Sequence, residues 1–226
     1  MRHKDGHNQQ LSRANVLVVT AVEAEREAVL RGLGNIEHID VLAAGVGPVA
    51  AAIQTATTLE HTPYDLVVIA GIGGGFVGQA EVGSLVVADQ IIAADLGAET
   101  PDGYMSLDEL GFGTANVPVD LTLANQLVVA MNEKDVTATL GSILTLSTVT
   151  GTKETAEALA KRFPGASAEA MEGFGIASAA KAKEIPVIEI RAISNQVGPR
   201  DRSAWRIGDA LHALEIASAS LGEVIR

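Results

Sequence analysis

The sequence predicts an α/β fold, a single-domain three-layer αβα sandwich around a mixed, largely parallel central sheet, and three observations lead there. Short β-branched runs alternate with helical patterns along the chain, the order that gives parallel strands joined by right-handed helical crossovers. Most of these runs are apolar at nearly every position, as strands buried on both faces are. Apolar residues make up 47% of the 226 while aromatics are only 3%, so the core is built from Ala, Val, Ile and Leu, and 23 glycines permit close backbone approach.

The opening "MRHKDGHNQQ" is polar and has no apolar stretch, so it is expected to be neither a secretion signal nor a membrane anchor. Residues 1–14 read as a disordered extension ahead of one domain over 15–226. "NVLVVT" from Asn15 is the first strand and "EAEREAVLRGLG" the first helix. "IDVLAAG" from Ile39 follows as a strand, and Pro48 opens the helix "PVAAAIQTATTLE", a position where its missing N–H costs little. "DLVVIAG" from Asp65 and "GSLVVADQII" from Gly83 are the next strands. The segment from Leu96 to Val119 then breaks the rhythm. Its "GAETPDGYMSLDELGFGTANVP" is too long for an ordinary connection, and such loops tend to carry function or to move. Tyr104 and Phe112 are expected to stand exposed on it and to anchor an interface in a homo-oligomer. Beyond it come the helix "LTLANQLVVAMNE", the strand "GSILTLSTV" from Gly141, and the helices "TKETAEALAKRF" and "MEGFGIASAAKAKE". The strand "IPVIEIRAIS" from Ile185 and the helix "GDALHALEIASASLGEVI" close the chain.

A net charge of −12 argues against a nucleic-acid or anionic-membrane partner, because phosphate surfaces select basic proteins. A small, largely neutral or singly charged ligand fits better. No apolar run approaches the roughly 20 residues that a spanning helix needs. The absence of cysteine removes disulfides and thiol chemistry and is compatible with a cytoplasmic location. Five histidines fall in no metal-ligand spacing, so neither a metal nor another cofactor is expected.

"GIGGGFVG" formally contains a dinucleotide fingerprint, Gly73-x-Gly75-x-x-Gly78. Such a fingerprint must open a helix, whereas "QAEVGSLVV" reads as a turn and another strand, so these glycines are expected to let chain or ligand approach closely. In doubly wound sheets ligands bind beyond the carboxyl ends of the strands, and three groups stand there. Glu25 in "TAVEAERE" is either a general base or an acid complementing a helix N-terminus. Glu172 in "AEAMEGFG" lies among small and apolar residues on a helix expected to be buried, where a carboxylate needs a partner. Asn195 in "RAISNQ" is either a turn residue or a reader of hydrogen bonds.

In this order and spacing, "TAVEAERE", "AAGVGPVAAA", "DLVVIAGIGGGF", "VGSLVVAD", "AEAMEGFGIA" and "RAISN" resemble the purine nucleoside phosphorylase and methylthioadenosine nucleosidase superfamily. The resemblance covers nearly everything from Asn15 onward and implies a nucleoside phosphorylase-like fold. Within the superfamily, "VTGTKETAEAL" and "SNQVGPRDRSAW" are most similar to the futalosine hydrolases. Those enzymes cleave futalosine to hypoxanthine and dehypoxanthine futalosine in the alternative menaquinone pathway. The resemblance implies that Glu25 orients and deprotonates the attacking water, with Arg191 near it. Glu172 would accept hydrogen bonds from the ribose hydroxyls, Met171 would pack on the sugar, Val149 and Thr150 would line the base, and Gly73 and Gly74 the pocket. Adenine-releasing relatives carry an Asp where this chain has Asn195, and an amide offers a donor and an acceptor together, suited to O6 and N7–H of hypoxanthine. Two further positions depart from the pattern: Ser84 stands where many relatives have Asp, and Ile72 where they have a small polar residue. Arg200, Arg202 and Arg206 are candidates for the anionic end of the substrate. The alternatives are a phosphorolytic purine nucleoside phosphorylase, a methylthioadenosine/S-adenosylhomocysteine-type nucleosidase, and a non-catalytic nucleoside-binding protein.

Overall fold

A computed structural model describes residues 14–225, so most of the expected N-terminal extension lies outside the described residues, while Ala14 is buried in the core. The strands are β1 (Val16–Thr20), β2 (Ile39–Ala43), β3 (Leu66–Gly75), β4 (Leu85–Ala93), β5 (Gly97–Thr100), β6 (Gly103–Ser106), β7 (Asn116–Pro118), β8 (Ala138–Thr145), β9 (Ala166–Ala170) and β10 (Val187–Gln196). The helices are α1 (Glu23–Leu33), α2 (Pro48–His61), α3 (Leu121–Asn132), α4 (Lys153–Arg162), α5 (Gly173–Ala182) and α6 (Ile207–Val224).

β1 shows why the apolar runs become strands. Val16 and Val18 enter a core shared with Ala28, Leu127 and Leu214, whereas Leu17 and Val19 enter one shared with Ala51, Ile176 and Ala177. Helices α1, α3 and α6 therefore cover one face of the sheet and α2 and α5 the other, a three-layer α/β domain with a mixed central sheet.

β2, β1 and β3 run parallel at one side, and β3 continues parallel to β10. β10 is antiparallel to β4, β4 parallel to β8 and β8 parallel to β9. β9 then returns antiparallel onto the glycine end of β3 at Gly74 and Gly75. The sheet thus curls until β3, β10, β4, β8 and β9 form a ring. "GIGGGFVG" belongs to that closure: its first glycines finish β3 and no helix opens on them.

Two expectations are corrected. The segment after Leu96 is not an unstructured loop, because β5 and β6 pair as an antiparallel hairpin and β7 adds to β4. "TPDG" supplies the turn chemistry that this hairpin requires. Tyr104 on it is only partly exposed: its hydroxyl donates to Leu96 O at 2.8 Å and the Arg162 guanidinium stacks 4.1 Å from its ring centre. Phe112 is 78% exposed, as expected. Among the described residues no helix is long and apolar enough to cross a membrane.

Candidate active site

Glu25 is the third residue of α1, and its carboxylate reaches back to the start of its own helix. Oε2 accepts the N–H groups of Ala21 at 2.9 Å and Val22 at 3.2 Å, satisfying donors that a helix N-terminus leaves free. Oε1 turns the other way and accepts the N–H of Ile72 on β3 at 2.9 Å. The bland reading of this acid and the chemical one therefore describe the same side chain: the helix start fixes the carboxylate, 4% exposed, at the strand ends. Ile72 serves through its backbone, which any residue could supply, while its side chain packs on the core; this accounts for an apolar residue there. Ser84 donates to Glu81 O at 2.7 Å and makes no contact with this group.

Arg191 on β10 is 1% exposed and lies between carboxylates. Its Nε donates to Glu189 Oε1 at 2.8 Å, its Nη1 donates to Ile72 O at 3.4 Å and stands 3.6 Å from Glu172 Oε2. Burial works against its charge, but the carboxylates of Glu189, Glu172 and Glu25 outweigh that and hold the guanidinium's pKa above its ordinary range. Burial pushes Glu189 upward against the pull of Arg191. Gly71 keeps this crowd together, since a Cβ there would stand 2.7 Å from Arg191 Nη1 and 2.8 Å from Glu25 Oε1.

Glu172 is not inside a helix as expected but at the N-cap of α5, directly after β9. Its Oε1 accepts the N–H of Gly47 at 3.0 Å, tying it to the start of α2, and its Oε2 faces Met171 N at 3.3 Å. Met171 is half-buried beside it. The isolated carboxylate thus has its partners in backbone amides and one shared cation.

Asn195 is brought beside Gly74 by a bulge. Ile193 pairs with Gly73 and Asn195 with Gly74, leaving Ser194 as an extra residue in β10. Without it the alternation of the strand would turn Asn195 to the opposite face. The Ser194 hydroxyl lies 2.9 Å from Asn195 Oδ1 as a donor, and Asn195 Nδ2 donates to Gln196 O at 2.9 Å. One N–H and one lone pair of the amide remain for a ligand. Gly74 gives it room, because a Cβ there would stand 3.3 Å from Asn195 Nδ2. Gly73 lies beside it, and Thr150 is buried and Val149 half-buried in the loop before α4. That loop is held by Arg200, whose N–H donates to Gly151 O at 3.1 Å while its guanidinium lies 5.2 Å from the Trp205 ring centre. Arg206 is paired with Asp209, and Arg202 lies in a 3-10 turn.

Three residues of this region carried no signal that sequence reasoning used. Glu189 sits two residues before Arg191 inside an apolar strand, and that spacing on one strand face is the clue that could have found it. Ser194 shows its part only through the strand register. Glu169 on β9 is 5% exposed, accepts the N–H of Thr150 at 2.9 Å through Oε1, and leaves Oε2 buried without a partner. A cleft of about 330 Å³ lies elsewhere, lined by Tyr104, Asn116, Ser142 and Arg162, and holds none of these groups.

Strand-end carboxylates flanking one buried arginine, with an amide-bearing bulge beside a glycine floor, on a three-layer α/β domain: this assembly defines a class. The chain belongs to the phosphorylase superfamily, whose family model matches residues 16–226. It is 51% identical to the futalosine hydrolase of Streptomyces coelicolor, over 93% of this chain and 96% of that protein. It is 44% identical to the futalosine hydrolase of Acidothermus cellulolyticus, over 91% of this chain and 89% of that one. The fold is that of the native futalosine hydrolase of Helicobacter pylori, with a TM-score of 0.79 at 18% identity over 93% of this chain and 98% of that one.

Proposed function

We propose that this protein is a hydrolase acting on N-glycosyl compounds that cleaves futalosine to hypoxanthine and dehypoxanthine futalosine, a step of the alternative menaquinone pathway. The observation that carries the reading is the Asn195 amide, set beside Gly74 by the Ser194 bulge, in a member of a superfamily with close futalosine hydrolase relatives. Cleavage passes through an oxocarbenium-like sugar, so the pocket must hold the ribose, position water and assist the base. Glu25, held by three backbone N–H groups, orients and deprotonates the water. Arg191 holds the carboxylates in place, Glu172 accepts from the ribose hydroxyls, and Met171 packs on the sugar. Asn195 donates to O6 and accepts from N7–H of the departing base, lined by Val149 and Thr150 over Gly73 and Gly74.

Phosphorolysis is the competing reaction. It needs a site for a dianion, yet Glu25, Glu172 and Glu189 crowd around Arg191, and Arg26 is engaged by Val41 O and Glu23. Water suits such a surround and phosphate does not. Hypoxanthine release from futalosine and from inosine, each with and without phosphate, tests the reading. Release from futalosine that is independent of phosphate is expected; release that requires phosphate, or none from futalosine, would overturn it.

The same reading includes a homo-oligomer, at least a dimer, in the cytoplasm. Val49 and Ile53 on α2 are 71% and 59% exposed on one helix face, next to the Gly47 that binds Glu172, and Phe112 adds an exposed aromatic. Light scattering should give at least twice the chain mass, and a fully active monomer would contradict it.

A further inference from the structure

Two buried acids have no task among the roles assigned above: Glu189, whose Oε2 is also without a partner but whose Oε1 is already paired with Arg191, and Glu169, which has no cation beside it among the described residues. A carboxylate oxygen sealed from water with no donor carries the full desolvation penalty of that atom, so the unpartnered Oε2 of Glu169 calls for a ligand. Its position says which one. In the sheet register Glu169 stands opposite Gly74, and Gly74 stands opposite Asn195. Paired residues of neighbouring strands point to the same face. The acid and the amide therefore flank a position that has no side chain of its own and that the buried Val197 closes from a third side: a Cβ on Gly74 would stand 3.0 Å from Val197 Cγ2, 3.3 Å from Asn195 Nδ2 and 3.5 Å from Glu169 Cγ. The glycine thus brings a carboxylate and an amide to the two edges of one position, with Val197 packed behind it.

The two groups differ in how firmly they choose. An amide can rotate to exchange its donor and its acceptor, so Asn195 alone reads a 6-oxo and a 6-amino purine with modest preference. An ionised carboxylate only accepts; burial raises the pKa of Glu169 against the pull of the Thr150 N–H on Oε1, and an N1–H donated to Oε2 would add to that pull. A 6-oxopurine offers an N1–H donor beside its O6 acceptor, whereas a 6-aminopurine offers an N1 acceptor beside an amine. We infer that Glu169 is a specificity-determining residue whose Oε2 accepts the N1–H of a 6-oxopurine while the Asn195 amide donates to O6. This inference rests on the nucleosidase reading for the placement of the base.

Glu169→Gln is the informative variant, because it keeps an oxygen for Thr150 and places an NH2 group where a second acceptor stood. Titrate hypoxanthine and adenine into native and variant protein by calorimetry, and measure kcat/KM for futalosine and its 6-amino counterpart on both. The hypoxanthine-over-adenine preference is expected to fall by about 100-fold or more, with the kinetic ratio moving the same way. A parallel loss for both bases would reduce Glu169 to a structural part, and an unchanged preference would remove it; either result overturns the inference. Should the variant fail to fold, native protein is titrated with 1-methylhypoxanthine, which has no N1–H. Binding equal to that of hypoxanthine would overturn the inference, and a loss of about 100-fold would support it. If the native enzyme releases no base from futalosine, the proposed function falls, but the base titrations still decide the role of Glu169.

Discussion

At the proposed sugar end of the site Glu25, Glu172, Glu189 and Arg191 are each at most 5% exposed and fasten one another through backbone amides and one guanidinium. At the proposed base end Asn195 and Val149 are only half-buried, and the orientation of the amide depends on a single extra residue in β10. The first arrangement is preorganised: its dipoles and charges are in place before substrate arrives, which is what stabilises a developing cation at low reorganisation cost. The second is adjustable, a bulge and a loop whose free donor and acceptors wait for a base. On the proposed function, rate and selectivity are lodged in different residues of one site and should be separable by mutation.

The largest effect expected from disturbing the sugar end comes from the substrate side. A 2′-deoxy analogue of futalosine would leave Glu172 facing a missing hydroxyl, and a loss of about 10⁴ in kcat/KM is expected, measured by base release. Cleavage at the rate of the ribo compound would give Glu172 another role. Next comes Glu25→Gln, which keeps the size of the side chain while removing the base. Turnover should drop by about 10²–10⁴, with the circular dichroism spectrum unchanged, and near-normal turnover would take Glu25 out of the mechanism.

A smaller effect concerns stability. Burial raises the pKa of Glu169 above its ordinary 4.5, with Thr150 pulling the other way. Between the unfolded and folded values the native state binds more protons than the unfolded one, so stability falls as pH rises through that window and is fully retained below it. Glu169→Gln cannot ionise. Its melting temperature relative to the native protein should therefore climb by a few degrees from acid to neutral pH, as read by thermal melts. A difference that stays flat with pH would contradict the raised value.

The sequence carried the alternation of strand and helix because β1 and β3 are apolar on both faces and β10 on one, in short runs set apart by helical patterns. It carried the helix starts for the same reason that Glu25 could be singled out, as an acid just past a strand. β9 was not legible: "ASAEA" is short, Ala-rich and poor in β-branched residues, so it showed no strand pattern between the two helices that flank it. Its pairing depends on β8 and on the glycines of β3, which no local pattern reports. Glu169 was lost with it. The Ser194 bulge was invisible for a related reason, since an extra residue shows only when the partner strand's register is known.

The division of labour itself is tested by kcat/KM for futalosine and its 6-amino counterpart, measured on the native enzyme, Glu25→Gln and Asn195→Asp. Glu25→Gln should lower both values by the same large factor and leave their ratio where the native enzyme has it. Asn195→Asp should lower the first and raise the second, moving the ratio by about tenfold or more, because a carboxylic acid can donate a proton to N7 and accept from the amine. A changed ratio in Glu25→Gln, or an equal loss on both substrates in Asn195→Asp, would contradict the account.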